Sequence, residues 1–152
     1  MRKTCSILMG VFFFVMCACF VVHASTLEEA KAMVDKADAY MKANGKDKAI
    51  AEFNNPKGQF VKGDLYIIAQ DYDGIMLANG GNPKLVGQNH FGLKDSSGKS
   101  FVKEMIEVSK TKGSGTVEYN WTNPVSKKIQ PKVTYLKKAD AGNFYIGCGF
   151  FK

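Results

Sequence analysis

Three side chains in the C-terminal half of the chain have the chemistry to hold a small anion: Tyr119, Trp121 and Lys132. They fall in two stretches, Gly113 to Trp121 and Gln130 to Lys138, joined by the polar Thr122-Asn123-Pro124 connection. In the first stretch Val117, Tyr119 and Trp121 alternate with Glu118 and Asn120, the period-two signature of a half-buried strand. Two such strands place the tyrosine, the chain's single tryptophan and the lysine where they share one side of a sheet. A carboxylate taken from water needs a charge-assisted donor and further hydrogen bonds. Lys132 supplies the charge, and Tyr119, Tyr135, His90 or the Trp121 indole can donate. The competing reading is structural: Tyr119 and Trp121 as plain core aromatics, Lys132 as a solvated lysine. Strand alternation puts Lys132 and Tyr135 on opposite faces unless a bulge intervenes.

Bond-making chemistry finds little support. His90 and His23 are the only histidines, and no Gly-x-Ser-x-Gly, Cys–His pair or Cys-x-x-Cys-His occurs. Asp71, Asp73, Glu104 and Glu118 are carboxylates without a nucleophile or metal ligand paired to them by sequence, so no catalytic or metal-binding residue is assigned and no cofactor is expected. Asp71-Tyr72-Asp73-Gly74 has the opening of a calcium loop, but Asn82 stands where its last acidic ligand belongs. Gly113-Ser114-Gly115 is a glycine turn and not a phosphate loop.

The chain has 152 residues and a formal net charge of +7. Its beginning reads as a secretory signal peptide: a basic Met1-Arg2-Lys3, an apolar Ser6–Val22 and the small-residue pattern Val22-His23-Ala24. Cleavage after Ala24 leaves residues 25–152 as one domain, periplasmic or secreted; an uncleaved membrane anchor is the alternative. The mature portion loses Arg2 and Lys3, giving a net charge of about +5. It also loses Cys5, Cys17 and Cys19, so Cys148 has no partner for an internal disulfide and reads as a buried thiol. No arginine remains, which removes bidentate phosphate and base readout and argues against nucleic acid.

The positioning elements follow from periodicity. Thr26 to Asn44 is an expected helix with a Thr26/Glu29 capping box and an inner face of Leu27, Ala30, Val34, Ala37 and Met41. A short helix follows with Asp47 as N-cap and Ile50 and Phe53 inward. Asp64 to Asp71 is a central strand, Asp73-Gly74 a hairpin turn and Ile75 to Ala78 the returning strand. Asn79 to Ser100 is a long glycine-rich segment carrying Asn89-His90-Phe91, the kind of loop that often binds ligands. Ser100 to Lys112 is a second main helix with Phe101, Val102, Met105, Ile106 and Ser109 inside. In the last strand, Asn143 to Phe151, Gly147 and Gly149 leave one face bare for something to pack closely. The order gives an α+β fold: a five-stranded antiparallel sheet with a leading helix and one crossing helix.

Several short pieces occur together in order: Phe53-Asn54-Asn55-Pro56-Lys57-Gly58, Gly63-Asp64-Leu65-Tyr66, Asp71-Tyr72-Asp73-Gly74, Leu85-Val86-Gly87-Gln88-Asn89, Tyr119-Asn120-Trp121, Lys132-Val133-Thr134-Tyr135 and Gly147-Cys148-Gly149. In these the chain resembles the type 2 single Cache domain, an extracytoplasmic relative of the PAS fold, over about residues 30–152. The resemblance implies a pocket on one face of the sheet, roofed by the long loop and the crossing helix. Its implied lining is Tyr119 and Trp121, Lys132 and Tyr135, His90 and Phe91, and Tyr66. It implies a sensor for small carboxylates such as acetate, propionate, pyruvate or lactate. With no signalling domain after Lys152, the expected role is a stand-alone domain working with a separate membrane receptor or histidine kinase, and a dimer through the leading helix. A protein-interaction module with a degenerate pocket is the alternative. The usual Trp-Pro-Lys-Pro-like turn of the family is Trp121-Thr122-Asn123-Pro124 here.

Overall fold

The computed structural model describes residues 25–152; the signal-peptide reading falls outside them. Helix α1 spans Leu27–Asn44, and its capping box forms as the sequence implies: the Glu29 amide donates to Thr26 Oγ1, and the Thr26 amide to the Glu29 carboxylate. Gly45 ends it at φ +82°, a left-handed value that a side chain would resist. Helix α2 is Lys46–Phe53. Asp47 lies inside its first turn, since Gly45 holds the N-cap position, and Ala49 with Phe53, not Ile50, are its fully buried residues.

Six strands follow: β1 Val61–Lys62, β2 Leu65–Asp71, β3 Met76–Asn79, β4 Ser114–Thr122, β5 Ile129–Lys138 and β6 Phe144–Phe151. β1, at two residues too short to leave a periodic signal, is the addition to the five expected. The sheet runs β1-β2-β6-β5-β4, with β3 also on β2, and every pairing is antiparallel. Helix α3, Phe101–Lys112, crosses between β3 and β4 and buries the five residues that its periodicity predicts. The long connection before it contains a 3₁₀ turn, Pro83–Leu85, capped by the Asn82 side chain.

The sheet separates two cores. On one face Leu65, Ile67 and Ala69 of β2 and Phe144, Ile146 and Cys148 of β6 pack under Ala30, Val34, Ala37 and Met41 of α1. On the other, Tyr66, Ile68, Val117, Tyr119, Leu136 and Tyr145 pack under Phe101, Val102, Met105 and Ile106 of α3. Alternation along each strand deals residues to the two sides.

Candidate functional site

The β5 register decides the site. Lys132 pairs with Tyr119 of β4 on one side and Phe151 of β6 on the other, and two residues on Thr134 lies opposite Gly149. No bulge interrupts this stretch, so Lys132 and Thr134 face α3 while Tyr135 faces α1. Tyr135 therefore sits on the helix-covered core, with the Lys31 ammonium 5.8 Å from its ring centroid. The expectation that Lys132 and Tyr135 line one pocket fails for that reason.

Lys132 is buried, 2% exposed. Its stem runs across Gly149: a methyl there would lie 2.3 Å from Lys132 Cε and 2.4 Å from Thr134 Oγ1. The bareness of Gly149 is what admits the lysine. Its ammonium ends over the Tyr66 ring, 3.9 Å from the centroid, and 4.8 Å from that of Phe151. Backbone also presses on Tyr66, since a methyl on Gly81 would lie 2.7 Å from the ring. Among the described residues no carboxylate pairs with Lys132. Burial pushes its pKa down, against smaller opposing effects of Tyr119, Cys148 and the more distant Asp64 carboxylate. Burying a lone ammonium costs several kcal/mol, and desolvated cation–π contacts return about 2 kcal/mol. The charge remains under-compensated by the protein.

The other donors stand around it. The Tyr119 hydroxyl shares a 3.1 Å hydrogen bond with Thr134 Oγ1, and its ring stacks on Phe101 of α3 at 4.3 Å and 3°. Trp121 meets Phe101 and Tyr119 edge-on at 5.6 and 6.1 Å. Burial raises the pKa of both Tyr66 and Tyr119, so both phenols are neutral donors at pH 7. Tyr66, Tyr119, Trp121 and Lys132 are thus brought together. His90 is buried at the β2–β3 turn, where its backbone amide donates to the Gly74 carbonyl at 2.7 Å; burial lowers its pKa. Phe91 is 42% exposed and lies outside the buried cluster, over Gly74 and beneath Lys103, in a groove of about 570 Å³ with Tyr72 and Lys110.

Other contributors went unread in the sequence. Thr134 was readable, being two residues from Lys132 on one strand; Phe151 was not, because it arrives by register. Asp95 ties the roof loop to the sheet. Its carboxylate accepts from the Ser97 hydroxyl and the amides of Ser97, Lys99 and Asn120, which hold it well below the usual carboxylate range. Lys99 adds a bond to the Glu118 carbonyl. Behind the cluster, Tyr145 donates to Gln70, and Gln70 donates to the Gly74 carbonyl.

The six-stranded antiparallel sheet, with α3 laid over one face, thus encloses a polar, charged cluster. The family model for Single Cache domain 2 matches residues 22–152. The chain belongs to this single Cache domain family. A methyl-accepting chemotaxis protein from Vibrio parahaemolyticus superposes with a TM-score of 0.69 at 25% identity, covering 82% of this chain and 86% of that one. A periplasmic sensor domain of a chemotaxis protein superposes at 0.63 with 26% identity, covering 82% and 88%. The sensor histidine kinase MctS of Rhizobium johnstonii is 27% identical over 88 residues, 58% of this chain. The match spans 19% of that kinase's length. Single Cache domains are sensor and ligand-binding modules. Among the described residues no three His, Cys, Asp or Glu side chains group as metal ligands. No helix among them is long and apolar enough to cross a membrane.

Proposed function

We propose that this Cache domain is an extracytoplasmic sensor that captures a small carboxylate, of the size of acetate, propionate, pyruvate or lactate, and presents it to a separate signalling receptor or histidine kinase. The observation that carries the reading is Lys132: an ammonium buried between aromatic faces that forms no ion pair with a carboxylate among the described residues. A ligand carboxylate meets the charge, and the neutral phenols of Tyr66 and Tyr119 and the Trp121 indole complete its hydrogen bonds. On this reading residues 1–24 are a cleaved leader and residues 25–152 act in the periplasm or outside the cell, with α1 as the surface for a dimer.

Calorimetry of ligand-stripped protein against C2–C4 monocarboxylates tests the reading. Saturable binding of at least one acid is expected, and a folded sample that binds none of them sinks it. A second reading, an interaction module with a degenerate pocket, draws support from the tight Phe101–Tyr119 stack and the two rings already on Lys132. It expects a receptor to co-purify equally with and without carboxylate.

A further inference from the structure

The β4–β5 connection projects two aliphatic side chains into solvent. Val125 is 66% exposed and Ile129 62%, the two most exposed large hydrophobics among the described residues. Between them stand Lys127 and Lys128, both exposed. Neither lysine forms an ion pair among the described residues, and no acidic residue occurs from Tyr119 to Lys138.

This tip is built. Asn123, 8% exposed, accepts the amides of Val125 and Ser126 on its side-chain oxygen at 2.8 and 3.1 Å. Its backbone amide donates to the Lys128 carbonyl and its carbonyl accepts from Lys127, both at 2.9 Å. Lys127 takes φ +60°, the one positive value at a non-glycine among the described residues, which costs on the order of 1 kcal/mol. The turn holds the aliphatic pair outward, although burying each would be worth about 1.5–3 kcal/mol.

The end of the sheet on which the tip sits is also the end that the chain enters and leaves. Lys152 donates its amide to Pro131 of β5, and Ser25 donates to Asp64 at the start of β2, the end that runs alongside the close of β6. Ser25 is therefore at the tip's end of the domain. The Gly74 turn and the Ala139–Asn143 connection lie at the opposite end.

We propose that the β4–β5 tip docks on an anionic phospholipid surface, with Val125 and Ile129 entering the acyl boundary and Lys127 and Lys128 at the headgroups. Aliphatic residues beside unpaired lysines match the two layers of such a surface, apolar below and negative above. The positive charge of residues 25–152, about +5, favours the same partner. The domain would then stand on the membrane by its sheet end, with the Lys132 cluster just above.

The test is site-resolved and reads the same with or without an attached leader. Tryptophan is placed at the tip by Val125→Trp and at the far end by Asp140→Trp in the full chain; Trp121 gives the same background in both. Each is mixed with phosphatidylglycerol–phosphatidylcholine vesicles carrying acyl-brominated lipid. Quenching of the tip tryptophan and not of the far-end one is expected. The double variant Lys127→Glu, Lys128→Glu in the tip background should weaken it on the order of tenfold or more. Vesicles of phosphatidylcholine alone should give little quenching. The proposal is overturned by an unquenched tip, by equal quenching at both ends, or by quenching indifferent to lipid charge.

Discussion

The two faces of one sheet are built from the same strands and solve different problems. Along β6, Phe144, Ile146 and Cys148 go to the α1 side, and Tyr145, Gly147, Gly149 and Phe151 to the α3 side. Along β2, Leu65, Ile67 and Ala69 oppose Tyr66, Ile68 and Gln70. The α1 side holds an apolar core whose polar atoms stay at its margin, where Asp38 takes Lys42 and Lys137 at 2.9 and 3.0 Å. The α3 side buries Lys132, Thr134, Gln70 and three phenols, those of Tyr66, Tyr119 and Tyr145. A core that only had to be stable would not keep a lone ammonium, because replacing it by an apolar side chain of similar volume removes a desolvation cost. One face supplies stability and the other surrenders some of it to a charge.

That contrast can be broken by experiment, beginning on the stable face. Ile146→Ala should cost about 2–5 kcal/mol in urea unfolding while leaving carboxylate affinity unchanged in the folded fraction. An equal loss of affinity would mean that the two faces are not separable. Lys132→Met should do the reverse: carboxylate affinity falls on the order of 100-fold, about 3 kcal/mol, and the unfolding midpoint holds or rises. A fall in the midpoint would make Lys132 a structural residue.

Gly149→Ala touches both properties, because its new methyl meets Lys132 and Thr134 together. A stability loss of about 1–3 kcal/mol with weakened binding is expected from denaturation and calorimetry on one sample.

Raising the pH probes the lysine without mutation. Its folded pKa lies below the unfolded 10.5, so between those values the unfolded chain holds the extra proton, and this group makes stability rise with pH across that window. A bound carboxylate favours the protonated lysine, so affinity should fall as the pH rises above the folded pKa of the free protein. Titration from pH 7 to pH 10 that left affinity flat would remove the ammonium from binding. The smallest effect belongs to Cys148, whose thiol burial pushes up to about 12. Iodoacetamide should leave it unmodified in native protein and label it after urea, by intact mass; native labelling would show the α1 face to be looser than its packing implies.

Much of the frame was legible beforehand. The capping box of α1, the inner face of α3, the five long strands and the bare face of β6 all follow from periodicity and local chemistry, which act over a few residues. The misses have equally local reasons. Val61–Lys62 is too short for a pattern, and Gly45 displaced Asp47 as the N-cap of α2. Within the site, alternation on β5 separated Lys132 from Tyr135 before any coordinates, against the pairing that the family motif implied. Phe91 fell outside because Gly74 lets the loop backbone press onto the turn and leaves the ring in solvent.

The sequence by itself determined which residues alternate, where helices begin and end, and that Lys132 and Thr134 share a face with each other and not with Tyr135. Only the tertiary structure decided what that face meets. Register set Tyr119 and Phe151 on either side of Lys132, Gly149 opened the path for its stem, and the Gly80–Gly81 turn pressed on Tyr66. These contacts join positions up to about seventy residues apart in the chain. No local pattern encodes them, because they arise from how strands are ordered and not from how any one of them repeats.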